Sequence, residues 1–191
     1  MIITNNFQSQ VWVIAGVNGA GKTSFANKYL RGKIAIINPD DIALQNNLQA
    51  VNAGKEALNL RQKFLNQNIS FAIETTLSGI NEIKFIQQCK NANYKINFVY
   101  IYLDSQYLSY ARVQQRIENN GHSIPSQDIQ RRYLRSINNF KNIEQISHRT
   151  WILDNSGIKT KMIYSSINNQ VKFISNNIPA KIITVFNLNE K

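Results

Sequence analysis

Five short apolar runs punctuate the chain, separated by longer stretches where apolar residues recur every three or four positions. The runs are VWVIA (11–15), KIAIIN (33–38), SFAIE (70–74), INFVYIYL (96–103) and TWILD (150–154). Each is rich in β-branched or aromatic residues and barely alternates with polar ones, as expected of parallel strands covered on both faces. The stretches between them predict helices over 23–30, 41–50, 53–66, 80–91, 107–119 and 126–146. Gly32 and Gly121 stand where helices can stop. Strands alternating with helices through right-handed crossovers predict a doubly wound α/β sheet in three layers. The tail differs in style. Residues 161–175 predict a hairpin turning at Asn168-Asn169, and IPAKIITVFN fits neither period cleanly. The segment from about 158 to 191 is expected to extend the edge of the same single domain.

Length and composition agree with that picture. A chain of 191 residues suits one domain that buries roughly 70% of its unfolded surface. Hydrophobic residues at 43% and aromatics at 10% exclude a disordered chain. One cysteine, Cys89, excludes an internal disulfide framework and suits a reducing, cytoplasmic setting. No apolar run reaches the roughly 18 residues of a membrane span. MIITNNFQSQ has neither a basic start nor a long apolar core, so no secretion signal is expected. The net charge of +11 favours an anionic partner: nucleic acid, a nucleotide, or an acidic protein.

The first run drops into Gly16-Val17-Asn18-Gly19-Ala20-Gly21-Lys22-Thr23, a complete G-x-x-x-x-G-K-T. Such a loop turns its N–H groups inward around phosphates. Lys22 reaches the β- and γ-phosphates, and the Thr23 hydroxyl can ligate Mg²⁺. The helix that starts there adds its positive end. These eight residues and Ser24 are the nucleotide-binding candidates, with ATP expected and GTP an alternative.

Phosphoryl transfer also needs a carboxylate for the acceptor and cations for the transferring group. Carboxyl ends of strands face the ligand crevice of an open sheet. Asp40 and Asp41 follow the second strand; Asp40 is the candidate base, and either can instead cap the next helix. Glu74 ends the third strand and, with Thr75 and Thr76, offers a rim for a polyhydroxy substrate, or is a solvated strand end. Asp104 follows the fourth strand as a Walker B acid does, and also reads as a helix cap. Arg112 and Arg116 share one helix face. Arg131, Arg132 and Arg135 follow beyond Gly121 and Pro125. Together, at about 112–135, they predict a helical lid that folds over phosphates; a basic solvated hairpin or a nucleic-acid patch is the alternative. His122 and His148 lack companions for a zinc site.

The ordered set AGVNGAGKTS, NPDDIA, AGKEAL…SFAIETTLSG, RVQQRIENNGHSIPSQDIQRRYLRS and ILDNSG resembles the zeta-toxin family, in its small single-domain branch. The resemblance spans about residues 10 to 157. It implies a P-loop kinase fold with five parallel strands ordered 2-3-1-4-5. It implies ATP- and Mg²⁺-dependent phosphorylation of a nucleotide sugar such as UDP-N-acetylglucosamine, and an acidic antitoxin as protein partner. Asp40 then matches the catalytic acid and Glu74 the sugar-nucleotide-binding glutamate. Arg116 and Arg132 match the phosphate-clamping arginines, with Arg112 and Arg131 as near alternatives that can contact substrate alongside Asp41. The loop at Asn155 lies near the base. Asn120-Gly121-His122 departs from the family's Gly-Gly-His, and nothing between Asp41 and Asn68 matches a uracil or sugar pocket. Two other readings stay open: a nucleic-acid kinase or ATPase, from the charge, and a nucleotide-gated interaction module without transfer.

Overall fold

A computed structural model describes residues 8–118, 125–178 and 180–188. The elements run β1 (Gln10–Ala15), α1 (Lys22–Tyr29), β2 (Ala35–Ile37), α2 (Pro39–Asn46), α3 (Ala50–Asn66), β3 (Phe71–Thr75), α4 (Ile80–Asn91) and β4 (Lys95–Tyr102). They continue with α5 (Gln106–Glu118), α6 (Ser126–Glu144), β5 (Arg149–Asp154), β6 (Lys161–Ile167), β7 (Gln170–Ile174) and α7 (Ala180–Phe186).

All seven strands form one sheet in the order β2-β3-β1-β4-β5-β6-β7. The first five are parallel and follow the expected 2-3-1-4-5 order. The expectation of a five-stranded parallel sheet is corrected at the far edge. There β6 pairs antiparallel with β5, and β7 with β6, so the sheet is mixed and seven-stranded. Pairing the hairpin onto β5 satisfies backbone groups that an open edge would leave unpaired. Its turn is Asn168-Asn169, both at positive φ (48° and 62°), as a two-residue hairpin turn demands.

Two helix limits also move. Asn38 caps α2 by accepting the Asp40 N–H at 3.0 Å, and Pro39 occupies the first turn. The cap is therefore neither Asp40 nor Asp41. The helix ends at Asn47, left-handed at φ 51°, so α3 starts afresh at Ala50 rather than at 53. The ambiguous tail is helix α7. Phe186 is buried against Phe140, Tyr100 and Tyr102, with ring centroids 4.6, 5.2 and 5.5 Å away. That aromatic cluster, with Phe98 and apolar residues from α3 and α4, is the core on one sheet face. The other face packs under Phe25 and Leu30 from the α1 end and Tyr133 of α6. On that face Trp12 and Trp151 stack at 5.7 Å, 5° from parallel.

Candidate active site

β1 delivers the chain into the loop 16–21, and α1 leaves it at Lys22. Gly16 (φ 145°) passes against the Ile101 carbonyl, where any Cβ would collide with backbone. Gly19 (φ 73°) has Arg112 Cβ and the Ser109 carbonyl each 3.0 Å from where a Cβ would stand. Only glycine meets both demands at once. The loop is also pinned from outside. Ser109 Oγ donates to Asn18 O at 2.6 Å, and Asn155 Nδ2 donates to Ala20 O at 2.9 Å. Arg112 Nη2 donates to Asn155 O at 2.8 Å. Arg112 and Asn155, expected at substrate and base, thus brace the loop's backbone here. Sequence reasoning missed Ser109: 91 positions separate it from Asn18, and nothing local marks the contact.

Lys22 Nζ donates to the carbonyls of Gly16 and Val17 at 2.9 and 3.0 Å. Its pKa falls to about 8, chiefly because its ammonium is buried; Glu74 raises it, Arg116 lowers it, Asp40 raises it and Arg132 lowers it. Four of the predicted residues, drawn from α2, β3, α5 and α6, are therefore close enough to Lys22 to act on its charge. The fold gathers them although they span almost a hundred positions.

Glu74 is the penultimate residue of β3, beside the P-loop strand and in register with Ile14. Its Oε2 accepts the Thr23 hydroxyl at 2.7 Å. Its Oε1 is buried, with the Asn38 side chain close enough to favour the charged form. Burial pushes its pKa up, against the bond from Thr23 and the charge of Lys22. Asp40 is exposed in the first turn of α2. Asp41 instead faces Arg31 at 3.8 Å.

Thr75 Oγ1 accepts the Leu77 N–H at 2.9 Å, and Thr76 and Ser78 share a hydroxyl contact at 2.9 Å. Leu77 is buried yet left-handed, at φ 56°, which costs about 1–2 kcal/mol. Asn139 of α6 holds that turn by donating to Leu77 O at 2.9 Å. Thr75 thus shapes the loop beside the site, a use its position in ETTLSG did not disclose.

Asp104 is not the α5 cap. The α5 cap is Ser105, whose Oγ accepts the Leu108 N–H at 3.1 Å. The Asp104 carboxylate is exposed and pairs with Lys181 of α7 at 3.3 Å. Asp128 receives Arg131 at 2.7 Å and lies 3.7 Å from Arg132. The predicted lid turn, with Gly121 and His122, lies outside the described residues. His148 is remote from the site and accepts the Ile96 N–H at 3.3 Å.

A groove of about 1320 Å³ lies elsewhere, on the α1 face beneath Trp12, Phe25, Trp151 and Met162. It meets Gly21, Ser24 and Asn155 at one end but borders none of Asp40, Glu74, Arg116 or Arg132.

A glycine loop opening α1 beside a 2-3-1-4-5 parallel core, with carboxylates after β2 and at the end of β3, defines the P-loop kinase fold. The same fold is seen in the AvrRxo1-ORF1:AvrRxo1-ORF2 complex, whose matching chain gives a TM-score of 0.73 at 16% identity; a structure of that complex with ATP gives 0.71. The match covers 96% of this chain, which spans 65% of the length of that one. The PezAT toxin–antitoxin system of Streptococcus pneumoniae is also similar, with a TM-score of 0.61 at 19% identity over 97% of this chain and 80% of that chain. More particularly, the Zeta toxin family model matches residues 48–168, and the chain belongs to that family. The match begins after the P-loop, which stands on its own sequence and geometry. An uncharacterised protein of Haemophilus influenzae is 28% identical over 131 residues, 66% of this chain and 94% of that protein.

Proposed function

We propose that this chain is an ATP- and Mg²⁺-dependent kinase that transfers a γ-phosphoryl group to a hydroxyl of a nucleotide sugar, such as UDP-N-acetylglucosamine. The observation that carries this reading is the field around Lys22, where two carboxylates and two arginines converge on one P-loop lysine. A site that only bound nucleotide would need the cations but no second carboxylate.

In this reading the loop amides and Lys22 hold the donor phosphates, with Ser24 beside them. Bound Mg²⁺ neutralises charge on the transferring group, and the Thr23 hydroxyl is the ligand this chain offers it. Asp40 orients the acceptor hydroxyl and takes its proton. Arg116 and Arg132 stabilise charge on the transferring group. Asp41, Thr76 and Arg131 border the acceptor. The nucleotide-sugar class follows from family resemblance, while the charge of +11 suits an anionic acceptor and an acidic antitoxin alike. No helix among the described residues is long and apolar enough to cross a membrane.

The test is incubation with ATP, Mg²⁺ and a panel of UDP-sugars, read by mass spectrometry. A gain of one phosphoryl group on a UDP-sugar supports the proposal. Intact UDP-sugars beside bound ATP overturn the acceptor assignment. The basic charge favours one second reading, a nucleic-acid kinase. A 5′-hydroxyl oligonucleotide in the same panel tests it, and its labelling should fall steeply with salt.

A further inference from the structure

A phosphate loop that turns its N–H groups inward must turn carbonyls outward, and buried outward carbonyls need donors. In this chain side chains hold four of them. Lys22 Nζ serves Gly16 O and Val17 O, Ser109 Oγ serves Asn18 O, and Asn155 Nδ2 serves Ala20 O. Lys22 must leave its carbonyls to reach phosphates. Ser109 and Asn155 are then the side chains that keep the loop's shape.

Asn155 is committed on every side. Its Nδ2 meets the Ala20 carbonyl at 2.9 Å. That oxygen can only accept, which fixes the orientation of the carboxamide. Oδ1 therefore faces Thr160, whose hydroxyl donates to it at 2.6 Å. The main-chain N–H donates to Tyr102 O at 3.0 Å, and the main-chain carbonyl accepts Arg112 Nη2 at 2.8 Å. A Cβ on Gly21 would stand 2.8 Å from Nδ2, so the carboxamide lies against the loop itself. Ala20 is fully buried, so bulk water has no access to its carbonyl if the donor is lost. Ser156 steadies the same turn, accepting the Asp104 N–H at 2.8 Å and donating to Asp154 Oδ1 at 2.6 Å.

We propose that Asn155 is a positioning residue for the donor phosphates. Through Ala20 it holds the phosphate loop in its accepting shape before nucleotide arrives. Through Arg112 it ties that loop to α5. Its four polar atoms serve the protein, so it favours no nucleobase and acts on the phosphate chain alone. The assignment rests on the P-loop reading above.

Three probes test it by calorimetry in the presence of Mg²⁺: inorganic tripolyphosphate and the β,γ-imido analogues of ATP and GTP. Asn155→Ala should weaken all three by a common factor of about tenfold. Thr160 is exposed, so Thr160→Val releases the carboxamide without opening the core. It should show part of the same loss, which Thr160→Ser should avoid. The double variant Asn155→Ala/Thr160→Val should lose no more than Asn155→Ala alone. A base-reading role would lower the affinity of one analogue and spare tripolyphosphate, and would overturn the assignment. So would a lower urea midpoint with all three affinities of the folded chain unchanged, wild-type binding by Thr160→Val, or losses that multiply in the double variant. Failure of all three probes to bind the wild-type chain would instead overturn the P-loop reading itself.

Discussion

Lys22 carries a pH dependence with a definite sign. Burial holds its pKa at about 8 in the nucleotide-free chain, while phosphate oxygens beside it would raise that value. Below pH 8 the ammonium is already formed and binding needs no proton. Above pH 8 binding must take one up, so ATP affinity should fall, by up to about tenfold per pH unit. Calorimetry in buffers of different ionisation enthalpy should register proton uptake at pH 8.5 and none at pH 6.5. Equal behaviour at both values would contradict the account of Lys22. Cys89 behaves oppositely. Burial pushes its thiol up to about 12, so it should resist alkylation in the native state and react only on unfolding.

At the scale of elements, α7 and the P-loop make contrasting demands. Phe186→Ala opens a hole among Tyr100, Tyr102 and Phe140. It should cost about 3–5 kcal/mol in denaturant melts, with ATP affinity of the folded protein unchanged. β1, β3 and β4 were the most legible of the parallel strands because they lie inside the sheet with both faces largely covered, which leaves continuous apolar runs. The Asn168-Asn169 turn was legible because its residue type fits positive φ. Helix α7 was not: Ile182, Ile183 and Val185 satisfy a strand as well as a helix, and only packing on the aromatic cluster decides. The split between α2 and α3 turns on the conformation of one residue, Asn47.

At the scale of the whole molecule, the site residues were legible by type and the partnerships were not. Strand ends and helix periodicity single out Asp40, Glu74, Arg116 and Arg132, and the fold brings all four close enough to Lys22 to act on its charge. The Thr23–Glu74 bond spans 51 positions and depends on β3 lying beside β1. Spacing along the chain carries no trace of it. The partner of Asp104 was illegible for the same reason. Its apolar preamble is that of a strand next to the P-loop, but its carboxylate turns outward to Lys181. The central claim is that these groups form one phosphotransfer centre with Asp40 as its base. The most direct measurement follows the label from γ-³²P ATP in low-mass cell metabolites, for the wild-type chain and Asp40→Asn. The account predicts label on a metabolite hydroxyl with the wild-type chain, and none with Asp40→Asn although ATP still binds. Label released only as inorganic phosphate, at equal rates in both proteins, would contradict it.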